Sequence, residues 1–149
     1  MTLQAPTKPY IFASIAALII GIAAYGIGLA NASMALNEKG YYLTVILYGL
    51  FSVVSLQKTI RDGAEGIQTS KIYFTLSWVS TGFAIGLLAI GLINANLELS
   101  EKGFYAMAYV LSLFAAVTVQ KNVRDKLAFK TEEPRSEPLT AKEIETLAD

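Results

Sequence analysis

Residues 28–62 read GLANASMALNEKGYYLTVILYGLFSVVSLQKTIRD, and residues 91–125 read GLINANLELSEKGFYAMAYVLSLFAAVTVQKNVRD. The two stretches align without a gap at an offset of 63, and 16 of the 35 aligned pairs are identical. Such self-similarity says that the fold is built from copies of one unit. The identical polar residues fall at the ends of apolar runs, where composition alone would not place them. Glu38-Lys39-Gly40-Tyr41-Tyr42 returns as Glu101-Lys102-Gly103-Phe104-Tyr105, and Gln57-Lys58-Thr59-Ile60-Arg61-Asp62 returns as Gln120-Lys121-Asn122-Val123-Arg124-Asp125.

Working outward, the whole chain of 149 residues is 54% hydrophobic and only 16% charged, against about 25% charge in an ordinary soluble domain. A bilayer is therefore the expected solvent. Twelve basic and twelve acidic residues cancel, so no bulk field draws the chain to nucleic acid, and no nucleic-acid partner is expected. Cys and His are both absent, which removes disulfides, thiolate and imidazole metal ligands, and thiol or imidazole catalysis. No catalytic residue, metal site or cofactor is called for.

Residues 10–31 and 72–94 carry no charge and are each long enough to cross a hydrocarbon core of about 30 Å. Residues 41–56 and 104–119 are uncharged for a shorter stretch and need their flanks to span. Starting these two helices at Asn37 and Ser100 as N-caps supplies the length and sets Glu38 and Glu101 in the first turn, near the positive helix end. Ala30-Asn31-Ala32 resembles a signal-peptidase site, but Asn94-Ala95 repeats it deep inside the chain, where cleavage serves no purpose. The first run is thus a membrane helix, and its asparagine has another use.

Basic residues are strongly sided. Lys8, Lys58, Arg61, Lys71, Lys121, Arg124, Lys126, Lys130, Arg135 and Lys142 fall at the ends and middle connection, while only Lys39 and Lys102 fall in the two hairpin turns. By the positive-inside rule both termini and the connection face the cytoplasm. The expected organisation is a cytoplasmic N-terminus (1–9), a first two-helix repeat (10–62), a cytoplasmic connection (63–71), a second repeat (72–125) and a cytoplasmic tail (126–149). The tail reads as largely disordered, with Glu132-Glu133-Pro134 and Glu137-Pro138 breaking structure, and with one short helix over 140–148 behind the capping box at Thr140.

Each unit holds two helices, so the second copy enters the membrane in the same direction as the first. The expected fold is an all-α membrane protein of four transmembrane helices in two parallel two-helix repeats. Gly28 on the first helix, and Gly82 and Gly86 spaced by four on the third, offer small faces for close helix packing. Tyr25, Tyr48 and Tyr109 lie at mid-membrane depth, where each hydroxyl should find a partner.

The polar motifs have structural readings. Spacing of four sets Gln57 beside Arg61 and Lys58 beside Asp62, and the same holds for Gln120 with Arg124 and Lys121 with Asp125. The functional alternative is that these eight residues form a cytoplasmic contact site for anionic lipid or a partner protein. Glu38-Lys39-Gly40 and Glu101-Lys102-Gly103 read as outer turns, with a cation shared by Glu38 and Glu101 as the alternative. No carboxylate lies in the middle of a helix, which argues against a proton-coupled exporter.

The motifs Asn-Glu-Lys-Gly-Tyr-Tyr, Gln-Lys-Thr-x-Arg-Asp, Ser-Glu-Lys-Gly-Phe-Tyr and Gln-Lys-Asn-x-Arg-Asp, in this order and spacing, resemble those of the YiaA/YiaB family of small bacterial inner-membrane proteins. The resemblance covers about residues 10–126. It implies a multi-pass inner-membrane protein of a Gram-negative bacterium built from two copies of a two-helix domain, and carries no activity with it. The functional expectation is a non-enzymatic membrane protein acting through membrane lipid or protein contacts, with lipid-facing surface on which further copies could pack as a homo-oligomer. The alternative is a small channel or transporter with a pore along the pseudo-twofold axis.

Overall fold

The computed structural model describes residues 4–132. Four helices account for nearly all of them: α1 Lys8–Asn31, α2 Leu36–Ala64, α3 Lys71–Asn94 and α4 Leu99–Glu132. All four are long and apolar enough to cross a membrane. Large apolar side chains cover the outside of the bundle, with Phe12, Ile20, Ile27, Phe51, Phe83, Ile93 and Phe114 all exposed. An outer surface of this kind suits lipid, since a soluble helix keeps one polar face.

Helix ends need side-chain partners, because orphaned backbone groups are costly near hydrocarbon. α2 and α4 start one residue before the expected caps Asn37 and Ser100. Glu38 and Glu101 do the capping instead: each accepts a 2.9 Å bond from the backbone N–H three residues earlier, that of Ala35 or Glu98. The reach-back arm of a capping box thus suffices, and no side-chain acceptor is needed at position 37 or 100. At the same end, Asn31 and Asn94 donate to the carbonyls of Ile27 and Ile90 in the last turns of α1 and α3. Lys39 and Lys102 donate to those of Ala30 and Ile93. The repeated asparagine is therefore a helix-end device. α2 closes on Gly66, whose φ of 74° is left-handed, while Ile67 N–H bonds Asp62 C=O at 2.8 Å in a Schellman-type ending.

α4 does not stop at Asp125. It continues to Glu132, so the first residues of the expected tail, 126–132, are helical. The remainder of the expected tail, including the short helix over 140–148, lies outside the described residues.

The helices interleave across the two copies. α1 packs along α4, α3 packs along α2, and α2 meets α4 at the centre, while the neighbours within each hairpin, α1 with α2 and α3 with α4, touch little. Glycines set the close approaches. A β-carbon on Gly21 would come within 2.6 Å of Ser112 Oγ, one on Gly28 within 2.7 Å of the Phe104 ring, and one on Gly91, the repeat mate of Gly28, within 2.7 Å of the Tyr41 ring. Gly49 on α2 lies directly against the Tyr109 hydroxyl. Gly82 and Gly86 behave otherwise: a β-carbon on either meets nothing within 4 Å. Their spacing marks a smooth strip of α3 that no other described helix meets, so of the three expected packing glycines only Gly28 packs among the described residues.

The core centres on four buried tyrosines, Tyr25, Tyr42, Tyr105 and Tyr109. Tyr42 and Tyr105 stack across the two copies at 6.1 Å, and Tyr25 meets Tyr105 edge-on at 5.6 Å. Tyr25 donates to the Tyr42 carbonyl at 2.8 Å and Tyr109 to that of Val45 at 3.3 Å. Two of the three mid-membrane tyrosines thus bond backbone carbonyls. Tyr48 is half-buried.

Candidate functional site

The two ends of the bundle carry its polar chemistry, and they are built differently. At the charged end, beyond the uncharged run that stops at Leu56, the two copies exchange ion pairs. Arg124 on α4 bonds Asp62 on α2 at 2.6 Å, and Arg61 on α2 bonds Asp125 on α4. Lys58 reaches Asp62 at 2.6 Å and Lys121 reaches Asp125 at 2.9 Å, both one turn away on the same helix. These last two pairs are the ones that spacing predicts. The expected neighbour of Arg61, Gln57, gives way to Glu65 one turn on and, because α2 lies against α4, to Asp125, and Arg124 likewise turns from Gln120 to Asp62 and Glu65. Gln120 Oε1 is buried without a partner among the described residues.

Glu65 is the residue that the repeat pattern missed. It accepts from Arg124 at 2.8 Å and from Arg61 at 3.3 Å, linking both arginines. Its repeat position holds Ala128, so the comparison of copies hides it; the spacing of four from Arg61 was the available signal. The lattice holds its carboxylates ionised. Hydrogen bonds from Lys58 and then Arg124 put Asp62 below the usual carboxylate range, and Arg124 does the same for Glu65. Burial pushes Asp125 upward, but Lys121 and Arg61 outweigh it and bring it down. Side-chain exposure then separates the cations: Lys58 and Lys121 are 60% and 50% exposed, while Asp62 is 7% exposed. All four cations are paired, and the lysines are the more exposed, since Arg61 and Arg124 are 23% and 25% exposed.

Just inside this end lies a buried polar pair. Asn122 on α4 donates to Ser14 on α1 at 3.1 Å, and the Asn122 carbonyl oxygen has no partner among the described residues. The repeat mates Thr59 and Ser77 are also buried, and both donate to carbonyls of their own helices.

At the opposite, turn end, each α1·α4 and α3·α2 contact opens into a cleft. One, of about 440 Å³, is lined by residues that include Asn37, Glu38, Tyr41, Tyr42, Gly91 and Asn94. The other, of about 300 Å³, is lined by their repeat mates Ser100, Glu101, Phe104, Tyr105, Gly28 and Asn31, together with Ala32. Glu38 and Glu101 stand in different clefts, so the expected shared cation site is not formed. Among the described residues no three His, Cys, Asp or Glu side chains gather to hold a metal ion. Between the two ends the α2–α4 seam is closed by Gly49 against Tyr109 and Leu113. An entirely apolar groove of about 440 Å³, lined by residues that include Ile85, Leu88, Val110 and Phe114, runs beside the seam between α3 and α4.

Comparison with known proteins follows the same duplication. A domain described as the yiaA/B two helix domain matches residues 10–62 and again residues 73–125. Inner membrane protein YiaA of Escherichia coli (strain K12) is 56% identical over 109 residues, covering 73% of this chain and 75% of that protein. Inner membrane protein YiaB of the same organism is 27% identical over 96 residues, covering 64% of this chain and 81% of that protein. Uncharacterized membrane protein YubF of Bacillus subtilis (strain 168) is 44% identical over 46 residues, covering 30% of this chain and 53% of its own length. No solved structure matches the chain.

Proposed function

We propose that this chain, which belongs to the yiaA/B two-helix-domain family, is a non-enzymatic multi-pass inner-membrane protein that acts through contacts with lipid or protein at its charged end. The observation that carries the proposal is the division of labour among the cations there. Arg61 and Arg124 are largely buried among Asp62, Glu65 and Asp125, while Lys58 and Lys121, each paired with one aspartate of its own helix, keep half or more of their side chains exposed. An outward lysine beside the interface suits an anionic headgroup, each such charge contributing about 1 kcal/mol near an anionic surface. The apolar groove beside the seam is suited to acyl chains. Support for a non-enzymatic role comes from the chemistry the chain lacks, with neither Cys nor His anywhere in it.

The same reading sets both termini and the 65–70 connection in the cytoplasm, supported by the ten-to-two distribution of basic residues. Two parallel copies are supported by the α2–α4 contacts, which join Tyr42 to Tyr105 at one end and Arg61 to Asp125 at the other. Against a pore along the pseudo-twofold axis stands the closed seam between Gly49 and Tyr109.

Native mass spectrometry of the full chain from bilayers containing phosphatidylglycerol and cardiolipin tests the lipid contact. Lys58→Gln with Lys121→Gln should strip bound anionic lipid. Retention equal to that of the wild type would sink the lipid version. Alkaline phosphatase and fluorescent-protein fusions at residue 66 and at the C-terminus check the orientation, which requires fluorescence and no phosphatase activity at both.

A further inference from the structure

The two clefts at the turn end share an electrostatic peculiarity that the folding of the helices does not require. Each contains one carboxylate, Glu38 or Glu101, and no Lys or Arg lines either cleft. One carboxylate oxygen caps its own helix; the second has no partner among the described residues. The adjacent lysine, which could neutralise it, is committed elsewhere, as Lys39 and Lys102 reach the carbonyls at the ends of α1 and α3. Asn94 and Asn31 likewise spend their N–H groups on Ile90 and Ile27, which leaves their carbonyl oxygens as acceptors. Each cleft therefore offers a carboxylate, an amide oxygen and an accessible aromatic ring, Tyr41 in one and Phe104 in the other, beside the buried Tyr42 and Tyr105.

That set of groups selects a ligand class. A hard divalent cation takes six or more oxygen donors, commonly from several carboxylates, and each cleft has one carboxylate. Carboxylate plus aromatic faces is the combination that holds an organic ammonium, by charge pairing and by cation–π attraction. We infer that the Glu38 and Glu101 clefts are twin sites for an ammonium group on a small aliphatic carrier, of the size of ethanolamine. Position decides the two available sources. The clefts open at helix ends, where a phospholipid headgroup would arrive with its ammonium leading, and a free amine could enter from water. The 440 Å³ cleft is the larger and has Tyr41 and Asn37 where its twin has Phe104 and Ser100, so it is the stronger site.

Native mass spectrometry of the full chain, released from nanodiscs of phosphatidylethanolamine and phosphatidylglycerol, reads the lipid source. Titration of free ethanolamine by calorimetry into the chain in phosphatidylglycerol-only nanodiscs reads the soluble one. The wild type should retain up to two phosphatidylethanolamines or bind up to two ethanolamines, and a response in either arm sustains the inference and names the source. Glu38→Gln with Glu101→Gln should reduce that binding at least tenfold while circular dichroism shows an unchanged helical bundle, because glutamine still accepts the capping bond. Should the double variant fail to fold, Glu38→Gln alone should halve the stoichiometry and remove the tighter of the two sites. The inference is overturned if neither arm responds, or if the glutamine variants bind as the wild type does.

Discussion

Arg124 on α4 bonds Asp62 on α2 across 2.6 Å, and its repeat mate Arg61 returns the equivalent bond to Asp125. The bundle is thus tied at one end by two arginines that serve the opposite copy. Double-mutant cycles should find the coupling across the copies. Arg61→Gln, Asp125→Asn and their combination, followed by thermal unfolding in detergent, should give a coupling of about 1–2 kcal/mol, reduced from its buried value by the nearby water. Strict additivity would show that the pair contributes nothing.

Acid should weaken the same lattice. Asp62, Glu65 and Asp125 all ionise more easily in the folded chain than at their ordinary values of 3.8 for Asp and 4.5 for Glu. Groups with depressed folded pKa values stabilise fully above the unfolded values, and that stabilisation is lost as pH falls through the lower, folded ones. The melting temperature should be level from pH 7 to about 5 and decline below about 4. Arg61→Gln with Arg124→Gln should decline less steeply over that range, having fewer favourable partners to lose. An equally steep decline in the variant would place the acid sensitivity elsewhere.

Substitution of glycines should separate the seam from the open strip. Gly49→Ala forces a methyl group onto the Tyr109 hydroxyl and should destabilise the bundle by about 1–3 kcal/mol, with partial relief when Tyr109→Phe is added. Gly82→Ala and Gly86→Ala enter open space. In a helix interior each should be neutral or stabilising by up to about 1 kcal/mol. A loss at Gly82 or Gly86 as large as that at Gly49 would reveal a partner for the strip, such as a second copy of the chain.

Cutting the chain in its 65–70 connection should leave a reconstitutable protein. Fragments 1–68 and 69–149 bury their first helices mainly against one another's second helices, so co-expressed halves should purify together. Either half expressed alone should be degraded. Independent stability of a lone half would contradict the interleaved packing.

Much of this architecture was readable in the residues. The first three helices begin and end close to the expected positions while α4 runs past Asp125 to Glu132, and Lys58–Asp62 and Lys121–Asp125 follow from spacing on one helix. Contacts between copies did not follow, because Gln57 and Arg61 share a helical face regardless of what lies opposite. Only the α2–α4 packing reveals that Asp125 is the better partner. Glycine spacing failed for a related reason. Gly82 and Gly86 describe a shape with no information about what meets it, while Gly49, which no small-residue spacing marks, is required by one tyrosine on another helix. The twin clefts were half visible: Glu38 and Glu101 stood out in both copies, but the diversion of Lys39 and Lys102 to helix-end carbonyls needed the fold.

Interleaving also bears on how many chains a working unit must contain. In this protein the first helix of each copy finds its main surface on the other copy, so a polypeptide carrying a single copy would leave that surface uncovered. To reproduce the α1–α4 and α3–α2 contacts it would have to borrow them from a second polypeptide, and its assemblies would count copies in twos. Duplication within one chain makes that pairing independent of concentration.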